Sequence, residues 1–145
     1  YNGTIAADQM AAAVNTAYAL TYAPSTSAGI INGTPASRLV IAEGGEYSVN
    51  FSAQISSTSS STANFWFWPR VNGSDVAGST MLNALHQNGA TLVVSRSTIF
   101  DFSAGDYLEA MWAVDSTSGF LDASVATAFA PAAPSSTLSI TRLHG

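Results

Sequence analysis

The sequence predicts an all-β fold, a β-sandwich or jelly roll of about 8–10 strands. Three observations predict it. Hydroxyl side chains dominate the polar residues, with 21 Ser and 14 Thr; both compete with a helical backbone, and Thr is β-branched. Apolar and polar residues alternate with a period of two over several segments. Turn signals rich in Gly, Pro, Asn and Ser separate these segments every 8–12 residues or so, the spacing of an antiparallel sandwich.

The elements follow in order. Residues 6–15, AADQMAAAVN, are compatible with a short helix starting near Asp8, without a clear apolar stripe. Residues 1–15 are therefore read as a lead-in segment and 16–145 as a single domain. TAYALTY (16–22) reads as a first strand, followed by a turn-rich link through Pro24, Ser25 and Gly29. SRLVIA (37–42) is a second strand, closed by Gly44 and Gly45. In EYSVNFSAQIS (46–56), Tyr47, Val49, Phe51, Ala53 and Ile55 share one face, with Ser48, Asn50, Ser52 and Gln54 on the other. Ser56 to Ser61 form a flexible connection.

The aromatic strand follows at 63–71. Its end, Asn72-Gly73, is a strong hairpin signal because both residue types tolerate positive φ. Residues 74–90 read as a long loop. TLVVSRSTIFDF (91–102), DYLEAMWAV (106–114), FLDASVATA (120–128) and STLSITRL (136–143) are four further strands.

Composition excludes several functions. Charged residues make up 9% of the chain, against about 25% in an average domain. A net charge of −5 with all four cations Arg and no basic cluster argues against nucleic acid, since phosphate binding needs grouped cations. No apolar run approaches the ~20 residues of a membrane-spanning helix. The chain starts at Tyr1 rather than Met, as a processed or excised piece would. The absence of Cys leaves no disulfide scaffold or Cys-based metal site.

Catalytic constellations are missing from the pattern as well. Of the two histidines, His144 is penultimate and His86 sits in a polar stretch without a neighbouring acid, so neither has the partners that nucleophilic catalysis requires. Asp106 and Glu109 have odd spacing and fall on opposite strand faces, while Glu43 and Glu46 flank a Gly-Gly corner. No DxDxDG loop or His-x-x-x-His pair is present to hold a metal. Asn2, Asn32, Asn50 and Asn72 match the Asn-x-Ser/Thr pattern, at a frequency expected in so Asn-, Ser- and Thr-rich a chain. The reading is a non-enzyme with no cofactor and no metal.

The order of motifs is more informative. GGEYSVNFSAQ, then an aromatic strand ending in RVNG, then FDFSAGDYLEAMW, then PSSTLSITRL resembles a family of jelly-roll domains like the globular heads of complement-type collagens and tumour necrosis factor. The version it is most similar to is found in structural proteins of tailed bacteriophages, of the cyanophage and marine-phage type. NTAYAL at 15–20 matches that version's opening strand, and the resemblance covers roughly residues 15–143. Pro69 departs from it, standing where the family usually has an aliphatic residue. Proline cannot donate a ladder hydrogen bond, so a bulge or an edge is expected there.

The resemblance implies a TNF-like jelly roll assembling as a homotrimer, with 46–56 and 106–114 in an inner sheet facing neighbouring chains and the aromatic strand in the outer one. Ser48, Asn50, Ser52, Tyr107, Glu109 and Met111 are then candidate interface residues. Pattern adds that 106–114 is apolar on both faces, with Leu108, Ala110, Trp112 and Val114 on one side and Tyr107 and Met111 on the other; such a strand needs cover on both sides. The implied function is a virion surface protein acting in host attachment at a fibre tip or in capsid decoration. Its partners are itself, other virion proteins and a host-surface glycan. An extracellular adhesive or carbohydrate-binding module outside any virus is the alternative.

NFWFWPRVNG (64–73) poses a separate question. Phe65, Phe67 and Val71 share a parity and belong to the core, which projects Trp66, Trp68 and Arg70 together from the opposite face. Two readings stand. In one, the stretch 74–90, with Met81, Leu82 and Leu85, or an adjacent virion protein, covers the indoles, and Arg70 stacks on Trp68 as a cation–π pair. In the other, the three side chains form a ligand platform for sugars.

Overall fold

A computed structural model of the chain describes residues 1–24 and 27–145; Ser25 of the expected turn-rich link lies outside the described residues. In chain order the strands are β1 (Asn2–Ile5), β2 (Tyr18–Ala19), β3 (Ile30–Asn32), β4 (Leu39–Ile41), β5 (Gly45–Ser57) and β6 (Ala63–Val71). They continue with β7 (Ser74–Asp75), β8 (Met81–Leu85), β9 (Thr91–Phe102), β10 (Tyr107–Val114), β11 (Gly119–Leu121) and β12 (Ser136–His144). No helix forms among the described residues. The Ala-rich stretch read as helix-compatible instead runs irregularly and is held by paired backbone bonds between Gln9 and Leu121. Asn2–Ile5, expected to be lead-in, pairs with β12 and belongs to the sheet.

The strands form two antiparallel sheets. In the first, β5 is central, with β9 along one edge and β12 then β1 on the other; β11 continues the β12 edge. In the second, β10 and β6 are central. Strand β10 carries β4 and β2 on its outer edge, β3 lies beyond β4, and β6 carries β7 and β8. The pairs are nested along the chain: β1 with β12, β2 and β4 with β10, β5 with β9, and β6 with β8.

This topology corrects one implication of the resemblance. The strands 46–56 and 106–114 do not share a sheet, because β10 pairs along its length with the aromatic strand β6, from Leu108 opposite Val71 to Val114 opposite Phe65.

Shared edges explain the shortened strands. The strand expected at 120–128 stops at Leu121 because β12 already occupies the same edge of β5 up to Ala53, leaving β11 only Ile55, Ser56 and Ser57. Likewise, 16–22 is trimmed to Tyr18–Ala19 because β4 holds the start of the same β10 edge. The loop expected at 74–90 contains β7 and β8, both paired with β6.

One apolar cluster draws on both sheets. Tyr47, Val49, Ala53 and Ile55 of β5 meet Leu108, Ala110, Trp112 and Val114 of β10 and the fully buried Phe65 and Phe67 of β6, with Leu138 and Ile140 from β12. The expected core faces of β5, β6 and β10 are thus the observed ones. Phe51 lies at the margin of the cluster and stays half-buried.

Candidate functional site

The hairpin at the end of β6 forms as its residue types dictate. Asn72 adopts φ 50° and Gly73 φ 80°, the paired positive values that a two-residue turn matching strand twist requires. Asn72 also ties the turn to β10: its Nδ2 donates to Asp106 Oδ1 at 2.8 Å and its Oδ1 accepts from the Tyr107 amide at 3.0 Å. These contacts, with the Ser103 amide, hold the Asp106 carboxyl below its ordinary pKa, the Asn72 bond being the larger cause.

Pro69 sits within a central strand, and the bond it cannot donate is replaced: the carbonyl of Val76, opposite it, accepts from Ser79 instead. The Pro69 carbonyl accepts from Val76, so its nitrogen faces the side where β8 has ended at Phe67 and β7 begins at Arg70. The proline stands where the β7 ladder ends, between the partners β7 and β8, a local edge in an otherwise paired strand.

Trp66, Trp68 and Arg70 project together, away from the core, and all three are half-buried. Strand β8 lies beside them rather than over them. Met81 and Leu85 are level with Phe67 and Ala63, and only Leu82, level with Trp66, shares the outward face, where it is 59% exposed. The expected cation–π stack of Arg70 on Trp68 is replaced by a shared anion. Asp75 Oδ1 accepts from Trp68 Nε1 at 2.8 Å and from Arg70 Nε at 2.8 Å. The two donors hold the Asp75 carboxyl below its ordinary pKa, Arg70 contributing more than Trp68. The cation–π pair among the described residues is instead Arg38 over the Tyr107 ring, 4.4 Å from its centroid. Trp66, Trp68, Asp75, Val76, Thr80 and Ala113 together line an open depression.

Tyr107, Glu109, Met111 and Ala113 of β10 lie on this same outward face. Glu109 is level with Arg70, Met111 with Trp68 and Ala19, and Ala113 with Trp66. Within a single chain Met111 is 3% exposed and Glu109 8%; Ser37 donates its hydroxyl to Glu109 Oε2 at 2.9 Å. The second apolar face of this strand, read as needing a neighbouring chain, is covered largely from within.

Ser48, Asn50 and Ser52 lie on the outward face of the other sheet. Ser48 is level with Ile99 and Thr141, Asn50 with Ser97 and Ser139, and Ser52 with Ser95 and Thr137. The six interface candidates therefore fall on two different sheets. The Ser48–Ser52 rows contain no charged residue, and five of their polar side chains bond laterally: Ser97 donates to Asn50, Asn50 Nδ2 to Ser48 at 3.3 Å, and Ser52 and Thr137 share a 2.6 Å bond. Ile99 stands exposed beside them at 61% and Val93 at 59%.

His86 is exposed, and His144 lies 3.5 Å from Glu46 at the sheet edge. Among the described residues no group of three or more His, Cys, Asp or Glu side chains converges as metal ligands would. The sequence reading missed Asp75, the residue that joins Trp68 to Arg70; the signal available was its position two residues after Gly73 of the Asn72-Gly73 turn, which folds it back level with Arg70. Compared with models of known families and with curated proteins, the chain has no significant match to either.

Proposed function

We propose that this chain is a non-enzymatic jelly-roll module of a tailed-phage virion surface, assembled as a homotrimer and acting in host attachment or capsid decoration. The observation that carries the reading is the nested pairing of strands. With β2 and β4 taken as one strand, the major strands pair first with eighth, second with seventh, third with sixth and fourth with fifth. A long hairpin wound into two facing sheets has this pairing, and that is the jelly-roll plan. The motifs that carry the phage resemblance fall on β5, on the β6 hairpin and on β10.

The surface through which the copies meet is assigned to the Ser48–Asn50–Ser52 face. Ser48, Asn50, Ser52, Ser97 and Thr137 are already bonded laterally, which lowers the cost of burying them. Ile99 and Val93 supply apolar area, and no charge in these rows must be desolvated. A second reading, an extracellular adhesive module outside any virus, draws on the outward indole pair, which would serve either setting.

Light scattering tests the assembly: a trimer has about three times the 14.9 kDa chain mass, and a monomer at micromolar concentration refutes it. Gold-labelled antibody on purified phage particles tests the location. Label at fibre ends supports attachment, label over the capsid supports decoration, and particles that lack the protein by mass spectrometry refute the virion reading.

A further inference from the structure

We propose that the outward face of β6 is a binding site for a neutral pyranose sugar, with Trp66 and Trp68 as its stacking surface and Asp75 and Arg70 as its hydrogen-bonding rim. A pyranose ring presents an apolar C–H face together with vicinal hydroxyls, and the depression offers both complements. The indoles stand on one strand face with two-residue spacing, and small Ala113, level with Trp66, leaves the space beside them open. Asp75 Oδ1 is occupied by Trp68 and Arg70. Its Oδ2 has no partner among the described residues, nor do the terminal nitrogens of Arg70. An acceptor and a donor thus stand side by side, the pattern a vicinal diol requires.

Charge selects the class of ligand. Arg70 and Asp75 neutralise each other at 2.8 Å, so the rim favours neither a quaternary ammonium, which an unpaired carboxylate between two indoles would attract, nor an anionic sugar. The separate bond from Trp68 Nε1 to Asp75 Oδ1 fixes the Trp68 ring before any ligand arrives, which lowers the ordering cost of binding. Val76 and Thr80 complete the rim, and Thr80 is exposed.

The proposal rests on the trimeric reading only for its multivalency. The face assigned to subunit contact belongs to the other sheet, so three copies of the indole site remain open on a trimer, and a polymeric glycan engages them with avidity.

The experiment titrates the whole protein with methyl α-mannopyranoside, methyl β-glucopyranoside, methyl β-galactopyranoside and methyl N-acetyl-β-glucosaminide, and with tetramethylammonium as the competing cation. Trp fluorescence and saturation-transfer NMR report binding. Trp112 is buried at 2% exposure, so a ligand-dependent emission change reports Trp66 and Trp68. At least one glycoside gives a saturable change, which Asp75→Ala weakens about tenfold or more while its circular dichroism shows the same folded protein; Trp68→Ala abolishes it. No saturable change with any glycoside, binding by Asp75→Ala equal to wild type, or binding of tetramethylammonium alone overturns the proposal. Glycoside binding without any gain on a polymeric glycan leaves the sugar site standing and counts against the trimer instead.

Discussion

The ring of Phe51 lies 5.3 Å from the ring of Phe67 at an interplanar angle of 44°, joining β5 of one sheet to β6 of the other. Tilted pairs at this separation add to simple burial. Phe51→Ala is expected to lower stability by about 3 kcal/mol, the lower end of the Phe→Ala range because Phe51 keeps some solvent contact. Urea denaturation checks this, and an unchanged midpoint would show that Phe51 does not bridge the sheets.

Gly119, at the start of β11, is closely packed against the core. A Cβ there would stand 2.8 Å from Phe65 Cζ and 2.8 Å from Val114 Cγ2, and both neighbours are fully buried. Gly119→Ala is expected to cost about 1–3 kcal/mol through overpacking. Gly29→Ala, whose Cβ would meet nothing within 4 Å, serves as the control and should melt as wild type.

The two outward faces respond differently to charge. Ile99→Arg places three like charges in the proposed contact and is expected to give folded monomers by light scattering. Tyr107→Asp acts on folding instead, because it removes the ring that Arg38 covers and adds an anion close to the buried Glu109. It should lower the melting temperature while the remaining folded protein keeps its oligomeric state. The reverse pattern would move the subunit contact to the β10 face.

Stability is expected to fall at both ends of the pH scale for separate reasons. Asp75 and Asp106 have folded pKa values below the ordinary 3.8, so their contributions are present above that value and are lost as pH falls through the folded ones. Tyr22 behaves oppositely. Burial raises its pKa above the ordinary 10.0, outweighing its bond to Ser136. Its contribution is therefore full below 10.0 and is lost as pH climbs towards the folded value. Denaturation of Tyr22→Phe on either side of pH 10.0 should show a flatter alkaline limb than wild type. The mutant should lose only about 1 kcal/mol at neutral pH, since Ser136 keeps its bond to the Ser52 carbonyl.

Several features were legible in the residues alone. The alternation in 46–56 and 63–71 named the buried faces of β5 and β6, and Asn72-Gly73 marked the hairpin that brings β7 back beside β6. Side-chain parity is a property of the chain itself, so each strand carries its own record of which side is apolar. Parity also put Trp66, Trp68 and Arg70 on one surface. It could not show that Arg70 would turn to Asp75 rather than to the indole, because that choice depends on which strand lies alongside.

Partnership between strands belongs to the tertiary structure. An alternating segment states which face it buries but not which edge it will find, and an edge admits one partner at each position. Strand β12 holds the edge of β5 and so ends β11 at Leu121; β10 joins the aromatic strand rather than β5; and β8, hidden in what read as a loop, completes the ladder on β6. These pairings decided that Met111 and Glu109 are covered within one chain while Ser48, Asn50 and Ser52 lie on the outward face of the other sheet, because the competition for hydrogen-bonded edges is settled only when all strands are in place.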